Sequence, residues 1–204
     1  MCLLQEQHCI ELASLPESKD DCGGAGEAPA LASLPLSSLA GVWYIVLGLN
    51  HIYDCFPCQV TSTTFLLFSL CQVFSFGLDK QGKDRVVMDY QVEREEGDIV
   101  SKRVVEFIEQ KNKNEEGVLS LSGIQNGLMH EEEWRVVAEN TGNGWLVASY
   151  CGAMTSWRYR GLVVLARVGG VTDQMEQWVD SLGFNTTQLC KPKSQGCILK
   201  PIND

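Results

Sequence analysis

Gly41-Val42-Trp43-Tyr44-Ile45-Val46-Leu47-Gly48-Leu49-Asn50, followed at once by His51-Ile52-Tyr53-Asp54-Cys55-Phe56-Pro57-Cys58-Gln59, joins a short apolar strand opened by Gly-x-Trp to a polar, cysteine-bearing loop. Downstream, the chain repeats one pattern: short stretches of alternating or β-branched apolar residues, bounded by Gly, Asn, Asp and Lys clusters. The spacing predicts strands at Trp43–Gly48, Cys58–Phe68 (long or bulged), Gln72–Leu78, Asp84–Arg94, Arg103–Gln110, Val118–Ser122, Glu132–Glu139, Trp145–Tyr150 and Gly161–Val168. Asp79-Lys80-Gln81-Gly82-Lys83 and Asn140-Thr141-Gly142-Asn143-Gly144 are suited to hairpin turns. Eight or nine antiparallel strands in a meander, with no helix between them, close most simply into an up-and-down barrel whose interior can hold one small apolar ligand.

Upstream, residues 1–36 carry three cysteines and the stretch Gly23-Gly24-Ala25-Gly26-Glu27-Ala28-Pro29-Ala30, and read as a cysteine-bearing remnant and linker. The barrel is expected over 37–170, with Leu36-Ser37-Ser38-Leu39-Ala40 as a short helical turn leading into it. Residues 171–204 hold a helix over Thr172–Leu182, capped by Thr172 and Gly183, and a lysine-bearing tail that needs a covalent tie. Met175, Trp178, Val179 and Leu182 share one helical face, which predicts packing against the barrel wall.

Composition narrows the function. A formal charge of -10, from 26 acids against 16 bases, repels a phosphate backbone, so no nucleic-acid partner is expected. Nine cysteines point to disulfides in an oxidising compartment, and their odd number leaves at least one thiol free or intermolecular. Cys55-x-x-Cys58 lacks the second ligand pair of a zinc site, and no metal is expected. No run of eighteen or more apolar residues occurs. The start, Met1-Cys2-Leu3-Leu4-Gln5-Glu6, has neither the basic segment of a signal peptide nor a transit-peptide bias, so any targeting segment is expected outside this chain.

Gly41-x-Trp43, with Arg167 ending the last strand, resembles the lipocalin pattern, in which the arginine packs over the tryptophan at the closed end of the barrel. A more specific resemblance lies in Trp43-Tyr44-Ile45-x-x-Gly48-Leu49-Asn50, Tyr53-Asp54-x-Phe56-x-Cys58-Gln59, the acids before Trp134, Tyr150 with Gly152, and Trp157 ahead of Tyr159 and Gly161. Together these are similar to the lipocalin-like catalytic domain of the violaxanthin de-epoxidase family, plant and algal enzymes that reduce the epoxide rings of violaxanthin with ascorbate. The resemblance runs from about Leu39 to Cys197 and implies an all-β, eight-stranded barrel with a C-terminal helix. It also implies a carotenoid substrate, ascorbate as co-substrate, and a place in the thylakoid lumen of a chloroplast. Association with a membrane surface and a homodimer are both compatible with it. In the family, the cysteine of the Cys-Gln motif is tied to one in the C-terminal tail. That implies a Cys58 to Cys197 bridge here, worth on the order of 2 to 4 kcal/mol.

The chain also departs from the family pattern. Pro57 stands where the family has an acid, Thr61 and Thr64 where it has two histidines, Cys151 where an arginine follows the tyrosine, and Glu133 where it has aspartate. Most of the family's cysteine-rich N-terminal domain and its glutamate-rich C-terminal extension are not expected within this chain. These differences suggest a related branch, some members of which are tautomerases that open the same epoxide without a reductant. Without the two histidines, weaker switching by pH is expected. A non-catalytic lipocalin carrying a carotenoid or lipid is the alternative of another class.

Opening an epoxide needs a proton on its oxygen, and a carboxyl facing an apolar barrel keeps its proton because burial disfavours the charged form. By its match to the family acid, Glu133 is the expected donor; alone, Glu131-Glu132-Glu133 would read as a solvated strand end. Alternation puts Glu131 and Glu133 on one face, and Glu132 and Trp134 on the other. Tyr150 is expected to hydrogen-bond the opening oxygen or a ring hydroxyl, and Asp54 to supply a second carboxylate. Tyr53, Phe56, Trp157 and Tyr159 are expected as substrate walls, with core packing the equal alternative for each.

Overall fold

The computed structural model describes residues 34–50, 54–55, 68–93, 99–109, 117–125, 128–154 and 157–192. Eight antiparallel strands form a closed barrel in chain order. They are β1 (Gly41–Gly48), β2 (Phe68–Leu78), β3 (Asp84–Glu93), β4 (Ile99–Glu109), β5 (Val118–Gln125), β6 (Leu128–Asn140), β7 (Trp145–Met154) and β8 (Trp157–Ala166). A single helical turn, α1 (Leu36–Leu39), precedes them and a helix, α2 (Asp173–Ser181), follows. Of the strand expected at Cys58–Phe68, only Phe68 lies within the described residues, as the first residue of β2.

Several strands are longer than their apolar patterns. The β5–β6 ladder continues past Ser122 and Glu132 to pair Gln125 with Leu128, and β7 and β8 pair out to Met154 and Trp157. These extensions carry His130, Glu131, Tyr159 and Arg160, whose polar character hides a strand from a reading based on hydrophobic alternation. Pairing there rests on the backbone ladder, which is indifferent to side-chain polarity.

The barrel has two apolar layers. Inside, Trp43, Phe76, Val86, Leu119, Leu121, Val136, Leu146 and Leu165 belong to one buried cluster. Outside, Val46, Leu47, Val147, Leu162 and Val164 are covered by Met175 and Val179 of α2. Trp178 reaches Trp145, with ring centroids 5.7 Å apart. This second layer explains why β1, β7 and β8 are apolar on both faces. The expected N-cap holds, the Thr172 side chain accepting from the Met175 N–H at 3.2 Å; the C-cap is Leu182, with Gly183 just beyond it at φ +92°.

One end is closed by Arg167, just past β8. Its guanidinium lies 3.7 Å from the centroid of the Trp43 ring. It donates to the carbonyls of Ala40 (2.8 Å), Val42 (3.3 Å) and Ser38 (3.0 Å). The Trp43 indole N–H donates to the Leu39 carbonyl at 2.7 Å, so α1 is held as a plug beneath the same ring. Gly41 adopts φ +101°, and a Cβ there would stand 3.0 Å from the guanidinium. The residue therefore serves both the bend and the close approach.

β1 leaves the barrel at the opposite, open end. There Gly48 and Cys190 exchange backbone hydrogen bonds (Gly48 N–H to Cys190 O, 3.0 Å; Cys190 N–H to Gly48 O, 2.7 Å). A disulfide joins Cys55 to Cys190 across a sequence separation of 135 residues. The expected Cys58 to Cys197 bridge falls outside the described residues. Among the described residues, the loop after β1 and the C-terminal tail are tied by Cys55 and Cys190.

Linking residues so far apart removes much of the unfolded chain's freedom. Cys190→Ser, measured by urea unfolding without reductant, is expected to lose about 2 to 4 kcal/mol. Unchanged stability would show that the tail is held without the bridge.

Candidate functional site

Between the apolar inner cluster and the open end lies an open cavity, about 560 Å³ with the adjoining solvent space included. Its floor and walls are Ile45, Phe74, Met88, Trp134 and Val163, and its polar lining is Asp54, Gln72, Tyr90, Glu106, His130, Glu132 and Tyr150. An apolar pocket with a few converging polar groups is the usual composition of a small-molecule site.

Glycines seat the long polar side chains. Tyr150 pairs with Gly161 and Tyr159 with Gly152 across β7 and β8, so each tyrosine ring lies over the other strand's glycine. A Cβ on Gly161 would overlap the Tyr150 hydroxyl, and one on Gly152 the Tyr159 hydroxyl. In the same way Asp54 sits over Gly48, and Glu106 over Gly123. Four polar side chains thus occupy space that a methyl group elsewhere in the sheet would take.

The polar groups form two hydrogen-bonded sets. In the first, the Tyr150 hydroxyl donates to Asp54 Oδ1 at 2.5 Å, and the Asn50 backbone N–H donates to Asp54 Oδ2 at 2.8 Å. Asn50 is itself anchored by its Nδ2, which donates to the Arg160 carbonyl at 2.9 Å. In the second, His130 Nδ1 bonds Glu106 Oε1 and His130 Nε2 bonds the Tyr159 hydroxyl. The Tyr159 hydroxyl donates to Glu132 Oε1 at 2.7 Å, and the Trp134 indole N–H donates to Glu132 Oε2 at 2.5 Å. Trp134 and Tyr150 stack with centroids 5.9 Å apart, so the sets share a wall. Among the described residues no three His, Cys, Asp or Glu side chains converge as metal ligands.

Burial differentiates the ionisable groups. Asp54, 2% exposed, is pushed up from the ordinary 3.8 to about 8. Burial dominates; the bonds from Tyr150 and Asn50 oppose it, and the charge of Glu132 adds to it. Tyr150 is raised well above its ordinary value by burial and then by the charge of Asp54. For His130 burial acts downward, but the bonds to Glu106 and then Glu132 outweigh it and carry the imidazole up to about 10. Burial pushes Glu106 up, against the pull of its bond to His130.

The structure brings Asp54 and Tyr150 together in the cavity and places Tyr159 beside them, its ring 6.2 Å from that of Tyr150. Glu133, the expected donor, is elsewhere. It faces outward, with its Oε1 3.0 Å from the guanidinium of the exposed Arg135. The alternation on β6 is as expected but the inward face is the other one, that of Glu132 and Trp134. Trp134 carried the signal, because a large aromatic chain takes the buried side of a strand in preference to a carboxylate. Tyr53, Phe56, Cys58 and Cys197 lie outside the described residues, and of Trp157 only the backbone is described. Glu106 and His130 gave no signal: β4 is apolar at both parities around Glu106, and His130 lay outside the strand expected there.

The family model described as the VDE lipocalin domain matches residues 1–193. No curated protein matches the chain. Among solved structures, the chain is similar to apocrustacyanin C2 at 17% identity, with 78% of each chain covered and a TM-score of 0.49. It is similar to lobster apocrustacyanin A1 at 17% identity, with 79% of each chain covered and a TM-score of 0.49. For apocrustacyanin C1 the identity is 17%, the coverage 83% of this chain and 91% of that one, and the TM-score 0.49.

Two outcomes test this geometry. Gly161→Ala is expected to destabilise the barrel by about 1 to 3 kcal/mol through overpacking against Tyr150. In a Tyr150→Ala background that penalty should vanish, so a double-mutant cycle by urea unfolding must show coupling. The second concerns Asp54, whose folded value lies above its unfolded one. Between about pH 4 and 8 the folded protein keeps a proton that the unfolded chain has released. Stability should therefore fall as pH rises through that window and level off above it. Asp54→Asn should lack this component, seen as the difference between the two unfolding-versus-pH curves; parallel curves would mean that Asp54 titrates normally.

Proposed function

The chain belongs to the VDE lipocalin family, and on that premise we propose that it opens the epoxide ring of a carotenoid of the violaxanthin type. The observation that supports this best is Asp54, a carboxyl that keeps its proton to about pH 8 and meets Tyr150 inside an apolar cavity. Breaking the carbon–oxygen bond of an epoxide leaves negative charge on oxygen, and a proton delivered there as the bond opens removes that cost. Asp54 supplies this proton. Tyr150 holds Asp54 by donating to its Oδ1, and the same hydrogen bond stabilises the carboxylate left when the proton has gone. Phe74, Met88 and Trp134 provide the apolar and aromatic surface for the ring.

In the de-epoxidase reaction ascorbate gives two electrons and two protons, the epoxide oxygen leaves as water, and a carbon–carbon double bond takes the place of the ring. The same reading sets the protein in the thylakoid lumen or at its membrane, where a carotenoid and ascorbate meet. A second reading is favoured by one feature, the presence of Glu132 in the same cavity as Asp54. A donor paired with a carboxylate acceptor can protonate the oxygen and withdraw a proton from carbon, with no net oxidation or reduction. That is the tautomerase reaction, which yields an allenic product and needs no reductant.

The test is incubation of the purified protein with violaxanthin, with and without ascorbate, and separation of the pigments by chromatography. Antheraxanthin and zeaxanthin formed only with ascorbate mark a de-epoxidase; an allenic carotenoid formed without it marks a tautomerase. Violaxanthin that stays bound but unchanged would make the protein a carrier and end the enzymatic reading. If turnover occurs, it should decline as pH rises through about 8, where Asp54 loses its proton. Asp54→Asn should lower it by about a hundredfold or more. Glu133→Gln, outside the cavity, should leave it nearly unchanged.

A further inference from the structure

Glu106, Gly123 and His130 stand on one rung of the sheet, on β4, β5 and β6, with the glycine between the two ionisable residues. Side chains two strands apart do not ordinarily meet, because the middle residue fills the gap. Here there is no side chain to fill it, and Glu106 extends over Gly123 to bond His130 Nδ1. A Cβ on Gly123 would stand 3.0 Å from Glu106 Cγ and closer still to the Val105 carbonyl. On its other side the imidazole reaches Glu132, with Nε2 3.2 Å from Oε1, and stacks on Tyr159 at 5.8 Å.

Resting on the reading of Asp54 and Glu132 as one proton-transfer site, we propose that Glu106 and His130 are positioning residues for Glu132. Anchored to Glu106 through Nδ1, the imidazole turns Nε2 toward Glu132 and Tyr159. It thereby fixes the carboxylate that shares the cavity with Asp54. Among the described residues the titratable groups bonded to the ring are Glu106 from β4, Glu132 from β6 itself and Tyr159 from β8. Glu106 is 2% and His130 4% exposed, so the pair is desolvated and gains little for stability over apolar residues of the same size. What it supplies is direction. The Trp134 indole and the Tyr159 hydroxyl hold Glu132 from two other sides. With His130 added, the carboxylate cannot turn away from the cavity. The high value of His130 accords with a ring that donates from both nitrogens at neutral pH.

The experiment combines kinetics with nitrogen NMR of the full-length labelled protein. His130 should show both ring nitrogens protonated through pH 8. Glu106→Gln and Gly123→Ala should each return it to titrating at lower pH, the second without removing any ionisable group. With violaxanthin as substrate both variants should lose up to about a hundredfold in kcat, the cost of a displaced catalytic group, while KM changes less than about twofold. A His130 that is neutral at pH 7 in the wild type, or that titrates alike in all three proteins, overturns the proposal. Wild-type kcat in both variants overturns it as well, while leaving the proposed function standing. If the wild-type protein does not turn over violaxanthin, that reading fails, and the NMR titration alone decides whether Glu106 holds the ring.

Discussion

Everything in this molecule depends on β1 meeting β8. A meander of eight strands has two free edges, each a row of unpaired backbone donors and acceptors, until the first strand closes on the last. The strands join from Tyr44 opposite Ala166 to Gly48 opposite Val163, and Arg167 locks the seam from just beyond it. Its stacking on Trp43 and its bonds to the carbonyls of Ser38 and Ala40 in the lead-in and of Val42 in β1 are confined to one spot. They nevertheless decide that the interior is an enclosed space, dry at one end and open at the other, instead of one face of a sheet.

Enclosure in turn sets the terms for every polar group inside. Burial takes most of these carboxyls out of contact with bulk solvent, so each must be answered by a neighbour or lose its charge. The two sets of residues solve this differently. Asp54 is met by an aspartate's least demanding partners, a phenol and a backbone amide, and stays neutral over most of the physiological range. Glu106 and Glu132 share an imidazole that takes up a proton on their behalf. One small cavity therefore contains a carboxyl held by a phenol and an amide beside two held against an imidazole, and the difference arises from which neighbours the fold provides to otherwise similar side chains.

How far this could be read from the sequence follows from what sequence patterns record. The turns at Gly82 and Gly144 and the Thr172 cap are local solutions to backbone problems, and they were legible, as was the pairing of Trp43 with Arg167 through its resemblance to the lipocalin pattern. The family likeness located Asp54 and Tyr150. What misled was the use of that likeness to choose a face on β6. Glu133 answers to the family's motif, but Trp134 answers to burial, and burial governs which way a strand turns. The Glu106–His130 contact was beyond reach for another reason: it joins strands that are not neighbours, and only the register of the closed barrel puts both residues on one rung. The Cys55–Cys190 bridge likewise depends on where the tail lies, which composition does not encode.

The seats formed by Gly48, Gly123, Gly152 and Gly161 bear on how such a site can arise and change. At each, a side chain on one residue occupies the volume left by the missing Cβ of another, so neither position is free to vary by itself. A lineage that gained the tyrosine before the glycine would pass through a clash, whereas one that gained the glycine first would pass only through an empty seat. Only the glycine-first route is open at low cost. Descent should therefore leave relatives that keep an empty seat with no aromatic residue over it, and a new chemistry in this barrel would begin most readily by filling one.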